Sequence, residues 1–115
     1  GVVYKGYFRD STLLTPAEVL HAATRAGALS QGREDCGRLA VGCKADLCVL
    51  DTDTPQFTPM TDAACNVVYA AQGADVRLTM VDGEVLYRDG EFMTIDIEKA
   101  KAEAQRRTDA ILRSL

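Results

Sequence analysis

Two Asp-Gly dipeptides, Asp82-Gly83 and Asp89-Gly90, constrain the fold of this chain more than any other feature. They separate three short runs, 76–81, 84–88 and 91–93, the first of which alternates apolar and polar residues. Asp-Gly readily adopts the positive φ angles of tight hairpin turns, and a period of two is typical of half-buried strands. The sequence therefore predicts a three-stranded antiparallel meander.

A helix start upstream is equally well marked. In Thr15-Pro16-Ala17-Glu18 the threonine can cap the helix, the proline fits the first helical position, and the glutamate can return a hydrogen bond to the cap. The apolar stripe through Val19, Leu20 and Ala23 predicts packing on a sheet or barrel, and an exposed face if that partner is missing. Gly27 is expected to loosen the end of this helix, and Ala28-Leu29-Ser30-Gln31 to add a short turn before Gly32.

Further helices are predicted on both sides of the meander. Thr61-Asp62 can cap a short helix that runs through Ala71 and that Gly73 ends, and Asp96 can cap a long one that runs to Leu115. Oppositely charged residues four apart line the long helix, Lys99 with Glu103 and Glu103 with Arg107. Its apolar stripe is thin and consists of Ala100, Ala104, Ile111 and Leu115.

The region between the first two helices contains one predicted strand. Leu47 to Leu50 is short and continuously apolar, which predicts a buried strand. Gly37 and Gly42 bracket a short extended piece, and 52–59 holds two of the three prolines, which excludes a regular helix or a central strand there.

Composition narrows the classes of function. Hydrophobic residues make up 47% and charged residues 26% of the chain, ordinary values for a globular domain. A net charge of −4 argues against nucleic-acid or anionic-membrane partners, since both demand a basic face. No apolar run approaches the ~20 residues that span a bilayer. No signal peptide is visible, and the start at Gly1 without a methionine predicts an interior cut.

The four cysteines form no C-x-x-C pair, so zinc-finger spacing is missing; they are Cys36, Cys43, Cys48 and Cys65. Their number allows a disulfide framework, but nothing else points to secretion. Cys43 and Cys48 could ligate a metal only with partners from elsewhere. We expect buried or half-buried thiols in a reducing cytoplasm.

Residues that could carry chemistry are few and isolated. His21 lies on a predicted helix without a carboxylate or thiol at ligand spacing, so a surface or packed histidine is favoured over a catalytic one. Asp46 and Asp51 flank a strand, where turn capping is favoured over an acid/base pair. The Gly37 to Gly42 spacing lacks the Lys-Ser or Lys-Thr of a phosphate loop. We assign no catalytic, cofactor-binding or metal-binding residue.

Three segments, in this order and spacing, resemble the C-terminal region of amidohydrolase-superfamily enzymes. Residues 14–28 resemble the last helix of the barrel. Residues 37–51 are similar to the signature G-x-L-x-x-G-x-x-A-D-L-x-x-x-D, found where the chain leaves the barrel for a small β domain. Residues 76–88 resemble the closing hairpin of that domain.

Residues 55–59 and 66–76 narrow the resemblance to the branch of S-adenosylhomocysteine and methylthioadenosine deaminases and chloro-triazine hydrolases. The resemblance implies a (β/α)₈ barrel with a divalent metal, usually zinc, that activates a water. It places the metal ligands and the proton-transferring Glu and Asp upstream of this chain, so no catalytic residue carries over. Asp46 matches the Asp of the signature and is expected to accept backbone N–H bonds.

The expected fold is thus an α+β fragment. Residues 1–35 would be the end of a barrel domain with its last helix, 36–95 a composite β domain with a meander of hairpins, and 96–115 a C-terminal helix. The expected function is that of the C-terminal structural portion of a cytoplasmic, metal-dependent amidohydrolase. That enzyme would hydrolyse non-peptide carbon–nitrogen bonds, deaminating a purine or related heterocycle.

The expected partners are the remaining part of the parent chain, its heterocyclic substrate and a second copy, with neither nucleic acid nor membrane. Zinc or another divalent metal would belong to the parent, and this portion alone would bind none and be inactive. The alternative is a stand-alone β-rich interaction module without catalysis. A reading frame upstream of Gly1 that encodes His-x-His supports the first interpretation, and a start codon near Gly1 supports the second.

Overall fold

The computed structural model describes residues 2–114, with side chains from Val3 onward. Its helices and strands follow in the order α1 (Val2–Phe8), α2 (Pro16–His21), α3 (Gly27–Ser30), β1 (Leu47–Leu50), α4 (Ala63–Tyr69), β2 (Val76–Val81), β3 (Glu84–Arg88), β4 (Glu91–Phe92) and α5 (Ile97–Ser114). Short helical turns at Ala22–Ala26, Pro55–Phe57 and Gly73–Asp75 complete the architecture. No helix in this range is long and apolar enough to span a membrane.

The strands form one antiparallel sheet in the order β1-β2-β3-β4. Both Asp-Gly dipeptides turn the chain with positive φ angles, 52° and 83° at Asp82-Gly83 and 46° and 96° at Asp89-Gly90. Such angles match the twist of the flanking strands, which is why Asp-Gly suits two-residue hairpins. The predicted meander is confirmed, although β4 stops at Phe92, one residue before the predicted end.

The first predicted helix begins at the predicted capping box. The Glu18 backbone N–H donates to Thr15 Oγ1 (3.4 Å), and the Thr15 N–H donates to Glu18 Oε2 (2.7 Å). The prediction that Gly27 loosens the helix end was wrong. A wider π-helical turn at Ala22–Ala26 leads into α3, and Gly27 keeps helical angles. A glycine lowers helix propensity without preventing a helix, and the helix here ends at Ser30.

The prediction of a wholly exposed face on this helix is also corrected. Val19 and Leu20 are half-buried because α2 packs against α4, whereas Ala23 is exposed as expected. Of the predicted cap Thr61-Asp62, Asp62 caps α4 through the Cys65 N–H (2.7 Å). The predicted end at Gly73 was wrong, because α4 ends at Tyr69 and Gly73 begins a separate short turn.

Strand β1 lies where it was predicted but is not buried. Cys48 and Val49 are exposed, and Val49 retains 48% of its accessible surface. The reason is topological, because β1 is an edge strand and hydrogen bonds only to β2. A continuously apolar run therefore indicated a surface to be covered, and nothing among residues 2–114 covers it.

The interior is very small for a chain of this length. Among the described residues only Cys36 and Phe57 are buried hydrophobic side chains. The accessible surface is 8760 Å², whereas a compact monomer of this mass exposes about 6,100 Å². The radius of gyration is 18.4 Å, against roughly 13 Å for a compact domain of this length. The chain therefore adopts defined elements without a core of ordinary size.

Helix α5 accounts for part of this extended shape. Asp96 caps it through the Lys99 N–H (2.9 Å), and all its described side chains are exposed except the half-buried Glu103. The Glu103–Arg107 pair forms, but no Lys99–Glu103 pair is found in residues 2–114, because Glu103 also binds Arg106. The predicted helix end at Leu115 lies outside the described residues.

Candidate functional site

The polar contacts of the chain concentrate around Asp46, just before β1. Its Oδ1 accepts the backbone N–H of Asp82 (2.7 Å), in the β2–β3 turn, and its Oδ2 pairs with Arg33 Nη2 (3.0 Å). The hydrogen bond from the Asp82 backbone is the main cause that holds the pKa of Asp46 below its usual value. The expectation that Asp46 accepts backbone N–H bonds agrees with this geometry.

Residues 44–46 make further contacts with the same hairpin turn. Lys44 Nζ donates to Asp82 Oδ2 (2.9 Å), and the Gly83 N–H donates to the Ala45 carbonyl (3.2 Å). The Lys44–Asp82 ion pair raises the pKa of the lysine. Two separate sequence signatures, the A-D-L segment and the Asp-Gly turn, therefore bind each other directly.

The start of the connector, residues 31–46 between α3 and β1, lies tightly against the helix. Arg25 Nη1 donates to the carbonyls of Glu34 (2.9 Å) and Cys36 (2.8 Å). Gly37 has a φ of 74°, and a Cβ added there would stand 2.7 Å from the Thr24 carbonyl oxygen. Only glycine fits this close approach of backbone to helix.

The far end of β1 has its own network. Asp51 pairs with Arg77 Nε (3.0 Å) and accepts the Asp53 N–H (2.9 Å), and both contacts lower the pKa of its carboxyl. Asp75 is buried, binds Gln56, and accepts the Gln72 N–H (2.7 Å). These carboxylates fasten turns to the sheet.

A cleft of about 630 Å³ opens between the helical segment, the connector and β1. The lining residues that bear on chemistry are Thr24, Arg33, Cys36, Arg38, Asp46 and Cys48. Burial raises the pKa of the Cys36 thiol, which keeps it protonated near neutral pH and makes it a poor nucleophile. Its Sγ donates to Asp35 Oδ1 (3.3 Å), which raises the thiol pKa further, and no histidine is among the described residues that line the cleft.

The residues considered from sequence stay apart. His21 is exposed in the last turn of α2, and Asp46 and Asp51 belong to the separate networks at the two ends of β1. Cys43 is half-buried and accepts Arg38 Nε (3.3 Å), whereas Cys48 is exposed, which corrects the expectation that the thiols are at least half-buried.

The donor set within residues 2–114 does not fit a catalytic metal. No group of three or more His, Cys, Asp or Glu side chains there is arranged to hold an ion. The contacts of Arg25, Arg33 and Asp75 escaped sequence analysis because isolated polar residues carry no local pattern. Lys44 occupies a variable position within the recognised signature, and its partner Asp82 was not evident from the sequence.

The comparisons with known proteins agree on one family. The amidohydrolase family matches residues 3–87. The 5-methylthioadenosine/S-adenosylhomocysteine deaminase of Nitratidesulfovibrio vulgaris (strain Miyazaki F) is 47% identical over 94 residues, 82% of this chain and 21% of that protein. The 5'-deoxyadenosine deaminase of Methanosarcina mazei is 40% identical over 103 residues, 90% of this chain and 24% of that protein.

Solved structures show the same relationship. An adenosine deaminase from Xanthomonas campestris with bound zinc superposes with a TM-score of 0.93 and 29% identity, over 99% of this chain and 26% of that one. The zinc complex of atrazine chlorohydrolase TrzN from Arthrobacter aurescens TC1 superposes with a TM-score of 0.75 and 28% identity, over 81% of this chain and 20% of that one. The chain spans about a quarter or less of the relatives it matches. By family match and by identity, this chain belongs to the amidohydrolase family.

Proposed function

We propose that this chain is the C-terminal structural portion of a metal-dependent amidohydrolase that hydrolyses non-peptide carbon–nitrogen bonds, deaminating an adenine-type compound. One observation carries the proposal. Nearly the whole chain, 99% of it, superposes on 26% of a zinc-containing adenosine deaminase with a TM-score of 0.93. The names of the curated relatives, deaminases of adenine nucleosides, support the same class of substrate.

The surface of the chain supports a role inside a larger body. Large hydrophobic side chains remain exposed on α1, the connector and β1, among them Val3, Tyr7, Leu39, Val41 and Val49. Isolated exposed apolar residues are ordinary, but a large exposed set on a chain with two buried hydrophobic residues indicates surfaces that another part covers. We propose the remaining part of the parent chain as that partner.

Residues 1–35 would then complete a (β/α)₈ barrel, residues 36–95 would form most of a small β domain, and residues 96–115 would be its terminal helix. Zinc or another divalent metal in the parent would supply an activated water. The residues that the structure describes hold no group of ligands for such an ion, so the proposal assigns the chemical step to other parts of the parent. The role of this portion is to brace the barrel and to position the hairpin.

We also propose that the parent works in the cytoplasm and assembles with a second copy of itself. Four cysteines without a disulfide among the described residues suit a reducing compartment. The exposed side chains of α5 offer a surface for assembly.

A chimera tests the proposal. The matching C-terminal part of the Xanthomonas adenosine deaminase would be replaced by this chain, and ammonia release from adenosine and bound zinc would be measured. We expect a folded, zinc-loaded and active enzyme, because the two backbones superpose closely. The matched control is the same enzyme truncated where the exchanged part begins, which should aggregate or lose activity.

Two results would contradict the proposal. Full activity of the truncated control would show that this portion is dispensable, and ammonia release by the 115-residue chain alone would place the chemistry within it. If the chain alone is instead a well-behaved folded monomer in analytical ultracentrifugation and the chimera is inactive, the alternative of an independent interaction module is favoured.

A further inference from the structure

Two sets of polar contacts link the helices of this chain to its sheet. Within residues 2–114 α2 packs on α4 and the strands pair with one another, but no helix packs extensively against a strand. One set lies around Asp75 and joins the Pro55–Phe57 turn to the start of β2. The other set belongs to the connector, together with the close approach at Gly37. One side chain in the connector, Asp46, contacts both sides.

Asp46 contacts the helical side of the chain through Arg33, whose backbone is held at the end of α3. The Arg33 backbone N–H donates to the Ala28 carbonyl (3.0 Å), and Gly32, with a φ of 73°, lets the chain close the end of α3. This arrangement is typical of helix C-termini that end in a left-handed residue. The Arg33 guanidinium, which binds Asp46 Oδ2, thus projects from a point fixed on α3.

Asp46 contacts the sheet at the β2–β3 turn. The Asp82 N–H that donates to Asp46 Oδ1 belongs to the first residue of the β2–β3 turn, which has a φ of 52°. Asp-Gly adopts such angles readily in a two-residue turn, so the contact from Asp46 positions the turn and is not needed to shape it. The two oxygens of one carboxylate therefore bind the helix end and the turn.

We propose that Asp46 is a joint through which the end of α3 sets the position of the β2–β3 hairpin. Among the described residues Arg33 makes no hydrogen bond or ion pair with the hairpin, and its ion pair with Asp46 is the polar contact that leads from the helix end to the turn. The side chains of Arg33 and Asp46 are 45% and 22% exposed, and those of Lys44 and Asp82 in the parallel ion pair are 40% and 64% exposed. Solvent screens the Asp82 carboxylate more strongly than that of Asp46, which also accepts a backbone N–H of the turn.

Hydrogen exchange in the whole protein tests this joint. The exchange of the Asp82 and Gly83 amides would be read by mass spectrometry of peptides that span 78–86. Arg33→Gln removes only the helical contact, and we expect it to speed exchange at the turn roughly threefold to tenfold, the effect of losing one supporting hydrogen bond. Asp46→Asn should have a comparable effect, because an amide retains an acceptor for the turn but loses the ion pair.

The double variant separates a joint from two independent contacts. Adding Arg33→Gln to Asp46→Asn should cause no further change, because both substitutions break the same path. The matched control is Arg77→Gln, which breaks an exposed ion pair at the other end of β2 and should leave exchange at the Asp82 turn unchanged.

Three results would overturn the proposal: an Arg33→Gln protein with wild-type exchange at the turn, additive effects in the double variant, or an equal effect of the Arg77→Gln control. The test does not include Asp46→Ala, so its result does not depend on whether that variant folds. The outcome is independent of deaminase activity, and an inactive parent would not affect it.

Discussion

Replacement of Gly37 by alanine tests the packing of the connector on the helix. An added Cβ would stand 2.7 Å from the Thr24 carbonyl oxygen and 2.9 Å from both the Ala28 Cβ and the Arg25 Cα. None of these atoms is the end of a flexible side chain, so the backbone must move. The φ of 74° adds a second penalty, since only glycine adopts it without strain.

The expected loss of stability in Gly37→Ala is the sum of the backbone strain and the steric clash. A left-handed backbone angle costs an alanine about 1–2 kcal/mol, and overpacking costs about 1–3 kcal/mol more. Gly37→Ala should therefore lower the free energy of unfolding by about 2–5 kcal/mol, roughly 8–20 °C in Tm. Thermal unfolding followed by circular dichroism is the assay.

Gly42 provides the matched control. Its φ is 84°, but an added Cβ would meet nothing within 4 Å. Gly42→Ala should therefore show only the backbone term, about 1–2 kcal/mol. Equal losses of stability in the two variants would refute the argument, because the close approach of the connector to the helix would then contribute nothing.

Three further predictions concern caps and charges. Thr15→Ala should cost about 1 kcal/mol in urea unfolding, because the capping box loses its hydroxyl acceptor; an unchanged midpoint would contradict it. The pKa of Asp46 is lowered in the folded state, so its contribution to stability is present above the unfolded value of about 3.9 and is lost as pH falls through the folded value. Unfolding midpoints measured against pH should therefore be flatter below pH about 4 in Asp46→Asn, and parallel curves would exclude this role. Side-chain NMR titration should find the Glu103 pKa at about 2, held down by Arg106 and Arg107, and replacement of both arginines by glutamine should return it toward 4.5.

The elements with local signals were predictable from sequence. The meander followed from Asp82-Gly83 and Asp89-Gly90, since the geometry of a two-residue turn is determined within the turn itself. The capping box at Thr15 was predictable for the same reason, because all of its atoms lie within one helical turn.

Features that depend on distant partners were not predictable in this way. The apolar run of β1 indicated burial, but burial requires a neighbour on the open side of the sheet, and residues 2–114 provide none. Arg33 and Asp46 are 13 positions apart in the sequence, and Asp46 and Asp82 are 36 positions apart. Contacts between such distant residues produce no periodic pattern in the sequence. The short turn after Gly27 was expected, but the continuous helical backbone through Gly27 was not, because propensity is a weak guide against packing.

The residues of the family signature in this region make contacts that maintain its structure. Gly37 allows the backbone to touch the helix, Asp46 binds the hairpin turn, and the turn residues Asp82 and Gly83 supply the N–H groups that residues 45 and 46 accept. Each of these positions is constrained by contacts within residues 24–83. Under the proposed function, this portion is scaffold, and the choice of substrate belongs to other parts of the parent. Exchange of this portion between family members should accordingly alter stability more than substrate preference, which is why the chimera tests the scaffold role directly.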